Sequence, residues 1–340
     1  MDRGGAGRPD GLLAPFALNP LPEEIHMPDL SPRLVALVVP LLLAAAPPAP
    51  RSEEGAPDTF SGVARVVAVG DVHGDVGALK DVLRMAGLIN AKGRWIGGKA
   101  HLVQTGDIPD RGDHSREAYE LLMRLEKEAL AAGGRVHALL GNHEVMNMLG
   151  DLRYVAPAEM ASYADQATQP DEAGGPRGLA GHRAAYGPEG RYGRWLRTHA
   201  AVVRINDTLF VHGGVAPGVP VNTLAELNAW VRRDLFPGNE PGGARHPQGP
   251  LWFRGYALGE EGAEEALDGV LSRFGARRMV MGHTTEREGK IRARFGGKAV
   301  LIDTGLSTGY GHHLAALELK GDKLTALYPD GRVELTSGTP

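Results

Sequence analysis

Gly70-Asp71-Val72-His73-Gly74, Gly106-Asp107-Ile108-Pro109-Asp110-Arg111-Gly112 and Gly141-Asn142-His143-Glu144 share one arrangement. Each sets polar side chains on a tight glycine turn after an apolar, β-prone stretch: Val66–Val69, His101–Thr105 and Val136–Leu140. Farther along, Leu209-Phe210-Val211-His212-Gly213-Gly214 and Met279-Val280-Met281-Gly282-His283 repeat the pattern with one histidine each. A strand end is a rigid place for a ligand, and glycine lets the backbone turn sharply enough to bring several such ends together. Carboxylate, imidazole and amide groups presented in this way at five strand ends imply a binuclear metal centre.

Composition narrows the classes. Of the 340 residues, 42% are hydrophobic and 23% charged, as in a soluble globular protein, in one large domain or two ordinary ones. A net charge of −4, with no basic stripe carrying interleaved aromatics, argues against nucleic-acid binding. The absence of cysteine rules out a disulfide framework, a cysteine-built zinc finger and a cysteine nucleophile.

The first 60 residues read differently. Residues 1–29 are rich in Gly and Pro without periodicity, the pattern of a disordered leader. Leu34–Ala46 is a 13-residue apolar run, too short for a membrane span and the right length for a signal-peptide core. With Met27 as the start it becomes an N-terminal export signal. The single Arg33 offset by Asp29, and Pro47 directly after the alanines, count against this. The expectation is export to a periplasmic or extracellular compartment, and otherwise a cytoplasmic protein with an alanine/proline-rich leader. No stable membrane span is expected.

From Val63 to Leu140 strand and helix alternate. Val76, Leu79, Val82 and Leu83 have helical spacing, as do Leu121, Leu122 and Leu125, and Gly133-Gly134 ends the second helix. This is βαβαβ logic, with the candidate ligands at the carboxyl ends of strands. Residues 151–193 are poor in apolar anchors, with a helical patch at Ala158–Gln166, and read as an insertion near the mouth of the site. Ala201–His212 reads as a hairpin about Asn206-Asp207. Thr223–Leu235 and Glu261–Phe274 are expected helices. Arg277–Met281, Ile291–Phe295, Ala299–Ile302, Leu314–Leu319 and Leu324–Tyr328 are expected strands. The pattern alone supports a mixed α/β domain over 61–335.

The ordered series GDxHG, GDxxDRG, GNHE, HGG and GH resembles the phosphoprotein phosphatases among the calcineurin-like metallophosphoesterases. One run alone is weak, since Gly-Asp and Gly-His pairs arise by chance; five in order, each after an apolar stretch, are specific. The resemblance spans Asp71 to His283. Gly249-Pro250-Leu251-Trp252-Phe253-Arg254-Gly255 and Asp303-Thr304-Gly305-Leu306-Ser307 resemble, more narrowly, the bacterial-like branch called Shewanella-like protein phosphatases.

The resemblance implies a four-layer sandwich: two mixed β-sheets flanked by helices, with a binuclear metal site at the strand ends. It implies that Asp71, His73 and Asp107 hold a first metal, and that Asp107 bridges to a second completed by Asn142, His212 and His283. A shared carboxylate holds two cations roughly 3.5–4 Å apart. Mixed imidazole and oxygen donors suit manganese, iron or zinc better than calcium, with manganese expected as the activator in vitro. His143 would be the general acid, with Asp110 keeping it protonated and aimed. Arg111 would grip phosphate, a task for a planar guanidinium, and Arg254 would be a second clamp. Glu144 reads as support for the turn behind the metals.

Other residues are set aside. His101 and His137 lie within expected strands away from the ligand turns, His114 at a helix start, and His312-His313 as neighbours on a strand that face opposite ways. Trp195 and Trp230 read as core. The implied reaction is direct hydrolysis of a phosphomonoester by a hydroxide shared between the metals, without a phosphoenzyme. Phosphoserine and phosphothreonine in phosphoproteins or phosphopeptides are the expected substrates, with a dinucleoside polyphosphate or other small phosphoester as the alternative. The sequence carries no signal for oligomeric state.

Overall fold

The computed structural model describes residues 57–236 and 242–335. Residues 1–56 of the expected leader, with its apolar run 34–46, lie outside the described residues, while Thr59–Phe60, expected to belong to the leader, are a strand of the domain's sheet. A two-residue strand, β1 (Thr59–Phe60), leads into β2 (Val66–Val69), α1 (Val76–Met85), β3 (His101–Gln104), α2 (Ser115–Ala131) and β4 (Arg135–Ala138). Then come the helices α3 (Asn142–Leu149), α4 (Pro157–Ser162), α5 (Leu179–Tyr186) and α6 (Arg191–Arg197). β5 (Val202–Ile205) and β6 (Thr208–Val211) form the hairpin expected about Asn206-Asp207. The remainder is α7 (Leu224–Arg233), α8 (Gly255–Leu258), α9 (Ala263–Arg273), β7 (Arg278–Met281), β8 (Arg292–Arg294), β9 (Ala299–Leu301), β10 (Ala316–Lys320), β11 (Lys323–Tyr328) and β12 (Gly331–Glu334).

The strands make two six-stranded mixed sheets, ordered β1-β5-β6-β7-β9-β8 and β12-β11-β10-β2-β3-β4. Strand periodicity explains the layers. Val66, Ala68, Val103, Phe210, Val280 and Val300 face the opposite sheet and, with Leu317, form the core between the two. Their neighbours Val67, Val69, Leu102, Leu209, Val211, Met279 and Leu301 face outward into the helical layers. With both faces covered, these strands are continuously apolar rather than alternating. Truncating the fully buried Phe210 to alanine would cost roughly 3–5 kcal/mol. The result is the two-sheet sandwich flanked by helices.

Local signals set the helix ends. Asp75 caps α1 through the Ala78 amide at 2.9 Å, and Leu79, Val82 and Leu83 form its buried stripe. α2 stops where Gly133 takes a φ of +79°, and the Gly134 amide returns to the Ala129 carbonyl at 2.8 Å.

Several elements differ from expectation, α5, α6 and β12 among them. α5 and α6 carry an aromatic cluster, with Tyr186 and Tyr192 packed on Tyr119 of α2 and Tyr163. Few aliphatic residues mark this stretch, so its helices were not visible as a leucine stripe. β12 is a fully exposed edge strand, and a charged edge has no apolar alternation to betray it.

β2, β3 and β4 pair in parallel, as do β6, β7 and β9. Within each sheet, therefore, the carboxyl ends of three strands share one edge. All the candidate residues except Arg254 follow five of these six ends, those of β2, β3, β4, β6 and β7; Arg254 precedes α8.

Candidate metal centre

Asp71 and His73 follow β2, Asp107 follows β3, Asn142 and His143 open α3 after β4, and His212 and His283 follow β6 and β7. All seven are buried. Asp107 is common to two groupings whose ligand atoms lie within 4.8 Å of one another: His73, Asp107 and His143, and Asp107, His212 and His283.

The turns that carry them are strained. His73, Asp107, Asp110, Arg111 and His283 have φ of +46°, +57°, +73°, +69° and +64°, in a region that costs an L-residue about 1–3 kcal/mol. Neighbouring backbone and one carboxylate hold these conformations. The amides of Val72 and His73 both donate to the Asp107 carbonyl, at 2.9 and 3.0 Å. Glu144 accepts from the amides of Asp107, Ile108 and Gly141 at 2.9, 2.8 and 2.7 Å, which is the supporting role expected of it.

The imidazoles are fixed by their far nitrogens. His212 Nδ1 faces the Thr105 carbonyl at 2.9 Å, and His73 Nδ1 faces the Pro109 carbonyl at 3.2 Å. A carbonyl only accepts, so each Nδ1 carries its proton and each Nε2 is left with a bare lone pair. His212 Nε2 then looks at two further acceptors, Asn142 Oδ1 at 2.9 Å and Asp107 Oδ1 at 3.3 Å. His283 Nε2 is buried with no hydrogen-bond partner. Converging lone pairs and an orphaned buried nitrogen call for cations between them.

Charge makes the same demand. Burial pushes the Asp71 carboxyl well above the usual carboxylate range, and Asp303 and Asp107 add to it. Burial likewise raises Asp303, and raises Glu144 to about 7 with Asp107 contributing. Asp107 goes the other way: burial would raise it, but His212 and His143 beside it hold it well below the usual range. His283 is pushed down to about 2 by burial, His212 and Arg254. Bare imidazoles among crowded carboxylates are a donor set suited to transition-metal ions, so the residues present fit the metal pair.

His143 is turned away from that role by Asp110, whose Oδ2 sits 2.6 Å from His143 Nδ1. Burial lowers the imidazole's proton affinity, yet Asp107 and Asp110 outweigh it and leave the pKa above 6.5. Asn147 steadies the pair, donating to Asp110 Oδ1 at 3.0 Å and to the His143 carbonyl at 2.8 Å. Arg111 and Arg254 both line the cleft above the centre, which has a volume of about 640 Å³. Arg254 Nη1 donates to the His283 carbonyl at 2.6 Å and Thr284 Oγ1 at 3.0 Å. Of the ten candidate residues eight line one cleft, and the other two, Asp110 and His212, lie directly behind it against His143 and Asn142.

Other residues of the site lacked a role from sequence. Asp303 follows β9 as the ligands follow their strands, and is fixed by Thr285 Oγ1 at 2.7 Å and the Gly305 amide at 3.0 Å. The strand-end rule applied to Val300-Leu301-Ile302-Asp303 would have found it. Asn147, Tyr154 and Tyr310 had no comparable signal. Of the histidines set aside, His101 and His137 bond each other at 3.1 Å across β3 and β4. His312-His313 lie in a loop before β10, not on a strand, with His312 at a φ of +58°.

A family model described as calcineurin-like phosphoesterase matches residues 64–287. The chain belongs to the calcineurin-like phosphoesterase family. Within it, the chain is 32% identical to Shewanella-like protein phosphatase 2 of Arabidopsis thaliana over 76% of this chain and 75% of that one. It is 29% identical to Shewanella-like protein phosphatase 1 of Plasmodium berghei, covering 73% and 69% of the two. Among solved structures it is similar to a cold-active protein-tyrosine phosphatase of a psychrophilic Shewanella, with a TM-score of 0.70, 32% identity and 83% of each chain covered. The chain is thus a phosphatase of this family whose homologues are Shewanella-like protein phosphatases.

Proposed function

We propose that the protein is a metal-dependent phosphomonoesterase that acts on phosphoserine and phosphothreonine in proteins. The observation that carries this reading is the Asp110–His143 pair beside the cation-demanding cluster. Asp71, His73 and Asp107 would hold one metal, and Asp107, Asn142, His212 and His283 the other. When bound, two such cations supply an acidified water and offset charge on the phosphoryl oxygens.

The chain's own groups do the rest. Arg111 presents its guanidinium to the phosphate oxygens, forming paired charge-assisted hydrogen bonds. Arg254 supplies positive charge beside the His283 turn. His143 Nε2 donates a proton to the departing ester oxygen while Asp110 holds Nδ1–H and stabilises the imidazolium. An alkoxide needs that proton far more than a phenolate does, and an acid supported this firmly favours serine and threonine esters.

Phosphotyrosine is a second reading, favoured by the likeness to the Shewanella protein-tyrosine phosphatase. Phosphoserine, phosphothreonine and phosphotyrosine peptides of one sequence, with diadenosine tetraphosphate, assayed on one manganese-loaded sample, separate the readings. The expected order of kcat/KM places the phosphoserine and phosphothreonine peptides first. A dominant phosphotyrosine rate would reassign the phosphoresidue, and preference for diadenosine tetraphosphate would overturn the protein-phosphatase reading.

A further inference from the structure

Arg111 is exposed and takes a φ of +69°, and its guanidinium bonds no acceptor among the described residues. A long side chain in that state should wander, yet two rings border it. The guanidinium carbon lies 4.2 Å from the Tyr154 ring centre and 5.7 Å from that of Tyr310. The Arg111 amide also donates to the Tyr154 carbonyl at 2.9 Å, which ties the two backbones together.

Each ring also touches one histidine of the centre. Tyr310 stacks on His73, with centroids 5.1 Å apart and planes 18° from parallel. Tyr154 lies 5.2 Å from His143. Neither tyrosine belongs to the glycine-turn motifs: Tyr154 follows α3, and Tyr310 ends a short turn after β9. That turn is anchored by Asp75, whose Oδ2 accepts from the Thr308 amide at 3.0 Å and hydroxyl at 2.8 Å. The other carboxylate oxygen of Asp75 caps α1. Tyr310 is therefore held from the loop that carries His73.

We propose that Tyr154 and Tyr310 are positioning residues that hold the Arg111 guanidinium against its aromatic neighbours with its N–H edge turned to the substrate phosphate. A planar guanidinium attracted to a ring through its face keeps its in-plane donors free. The grip is then ordered before the phosphate arrives, and the ordering cost does not fall on binding. This rests on the phosphatase reading above and adds to it the residues that set phosphate affinity.

The test uses the full, manganese-loaded chain and two readouts: calorimetric binding of inorganic phosphate, and kcat/KM on a phosphoserine peptide. Tyr310→Ala should weaken phosphate binding by about tenfold, with metal content unchanged. Tyr310→Phe, which keeps the ring, should bind phosphate within about twofold of the parent. In an Arg111→Ala background, Tyr310→Ala should have no further effect on either readout, because its action passes through the arginine. Full additivity in that background, loss of metal from Tyr310→Ala, or a Phe variant as weak as Ala would overturn the proposal. A parent protein that hydrolyses no phosphoester with metal bound would instead overturn the phosphatase reading.

Discussion

Asp110 Oδ2 and His143 Nδ1 lie 2.6 Å apart with both side chains buried, and that contact determines what the imidazole can do. With Nδ1–H committed to the carboxylate, only Nε2 faces the cleft, 3.8 Å from Asp107 Oδ2. In the proposed reaction His143 would therefore donate its proton toward the substrate side. His143→Ala should lower turnover of a phosphoserine peptide by roughly 10²–10⁴-fold while metal content stays near that of the parent. Para-nitrophenyl phosphate, whose phenolate leaves without much help, should suffer less. An equal loss on both substrates, or loss of metal, would remove His143 from the acid role.

The same pair sets a pH dependence. Asp107 and Asp110 outweigh burial and raise the His143 pKa above 6.5, so the proton is retained to a higher pH than in a free imidazole. Rates on an alkyl phosphate should fall as pH rises through that raised pKa. Asp110→Asn removes one of the two carboxylates and should move the alkaline limb to lower pH. A limb that stays in place in Asp110→Asn would count against the pairing.

Away from the centre, Glu159 carries a stability prediction. Its Oε2 accepts from the Ser115 amide at 2.9 Å at the start of α2, while its Oε1 is buried without a partner. Burial raises its pKa from 4.5 to about 7. The folded state therefore holds this proton more tightly than the unfolded chain. Folding suffers no penalty below pH 4.5, and loses stability progressively as pH rises toward 7, by about 3 kcal/mol in all. Glu159→Gln mimics the protonated form. It should raise the melting temperature at pH 8 and leave it unchanged at pH 4.5; equal shifts at both would refute the assignment.

The site's legibility in sequence was uneven, for physical reasons. Asp71, Asp107 and His283 could be found because a strand end followed by glycine is a local pattern. The partners that aim them could not: the Thr105 and Pro109 carbonyls on His212 and His73 are backbone atoms with no identity in the sequence. Tyr154 and Tyr310 meet Arg111 only through tertiary packing. Even the glycines act partly otherwise than expected. Sharp turning implied positive φ at glycine, and Gly74 and Gly106 have it, but His73, Asp107 and His283 carry it as well. Gly282 instead leaves room, since a Cβ there would lie 2.5 Å from Asp71 Oδ1 and 2.7 Å from Thr105 Oγ1.

Chelation should abolish hydrolysis and lower the melting temperature, and manganese should restore both, since a ligand that binds only the folded chain stabilises it. Asp107→Asn should damage metal retention and rate more than Asp71→Asn. Asp107 is the carboxylate common to both groupings and is the one held strongly ionised by its neighbours. Metal analysis of both variants decides the matter. Equal, mild losses would count against a shared ligand, and full activity in metal-free protein would overturn the metal centre.

Gly141 tests whether space rather than backbone freedom is what its turn requires. Its φ of −104° and ψ of 177° are extended, so alanine can adopt them without strain. An added Cβ, however, would collide with the Asp107 amide and Oδ1, and would lie 2.8 Å from Glu144 Oε2. Those atoms belong to the proposed shared ligand and to the carboxylate that supports its turn, so they cannot withdraw independently. Gly141→Ala should therefore cost roughly 1–3 kcal/mol of stability by overpacking and weaken manganese binding as Asp107 is displaced. Gly269, inside α9 with open space at its Cβ position, is the control: its change to alanine should stabilise by about 1 kcal/mol and leave metal binding alone. Thermal unfolding and manganese titration of the two variants give the comparison. A Gly141→Ala protein that binds manganese like its parent would show that the turn yields, and that the glycine is not what seats Asp107.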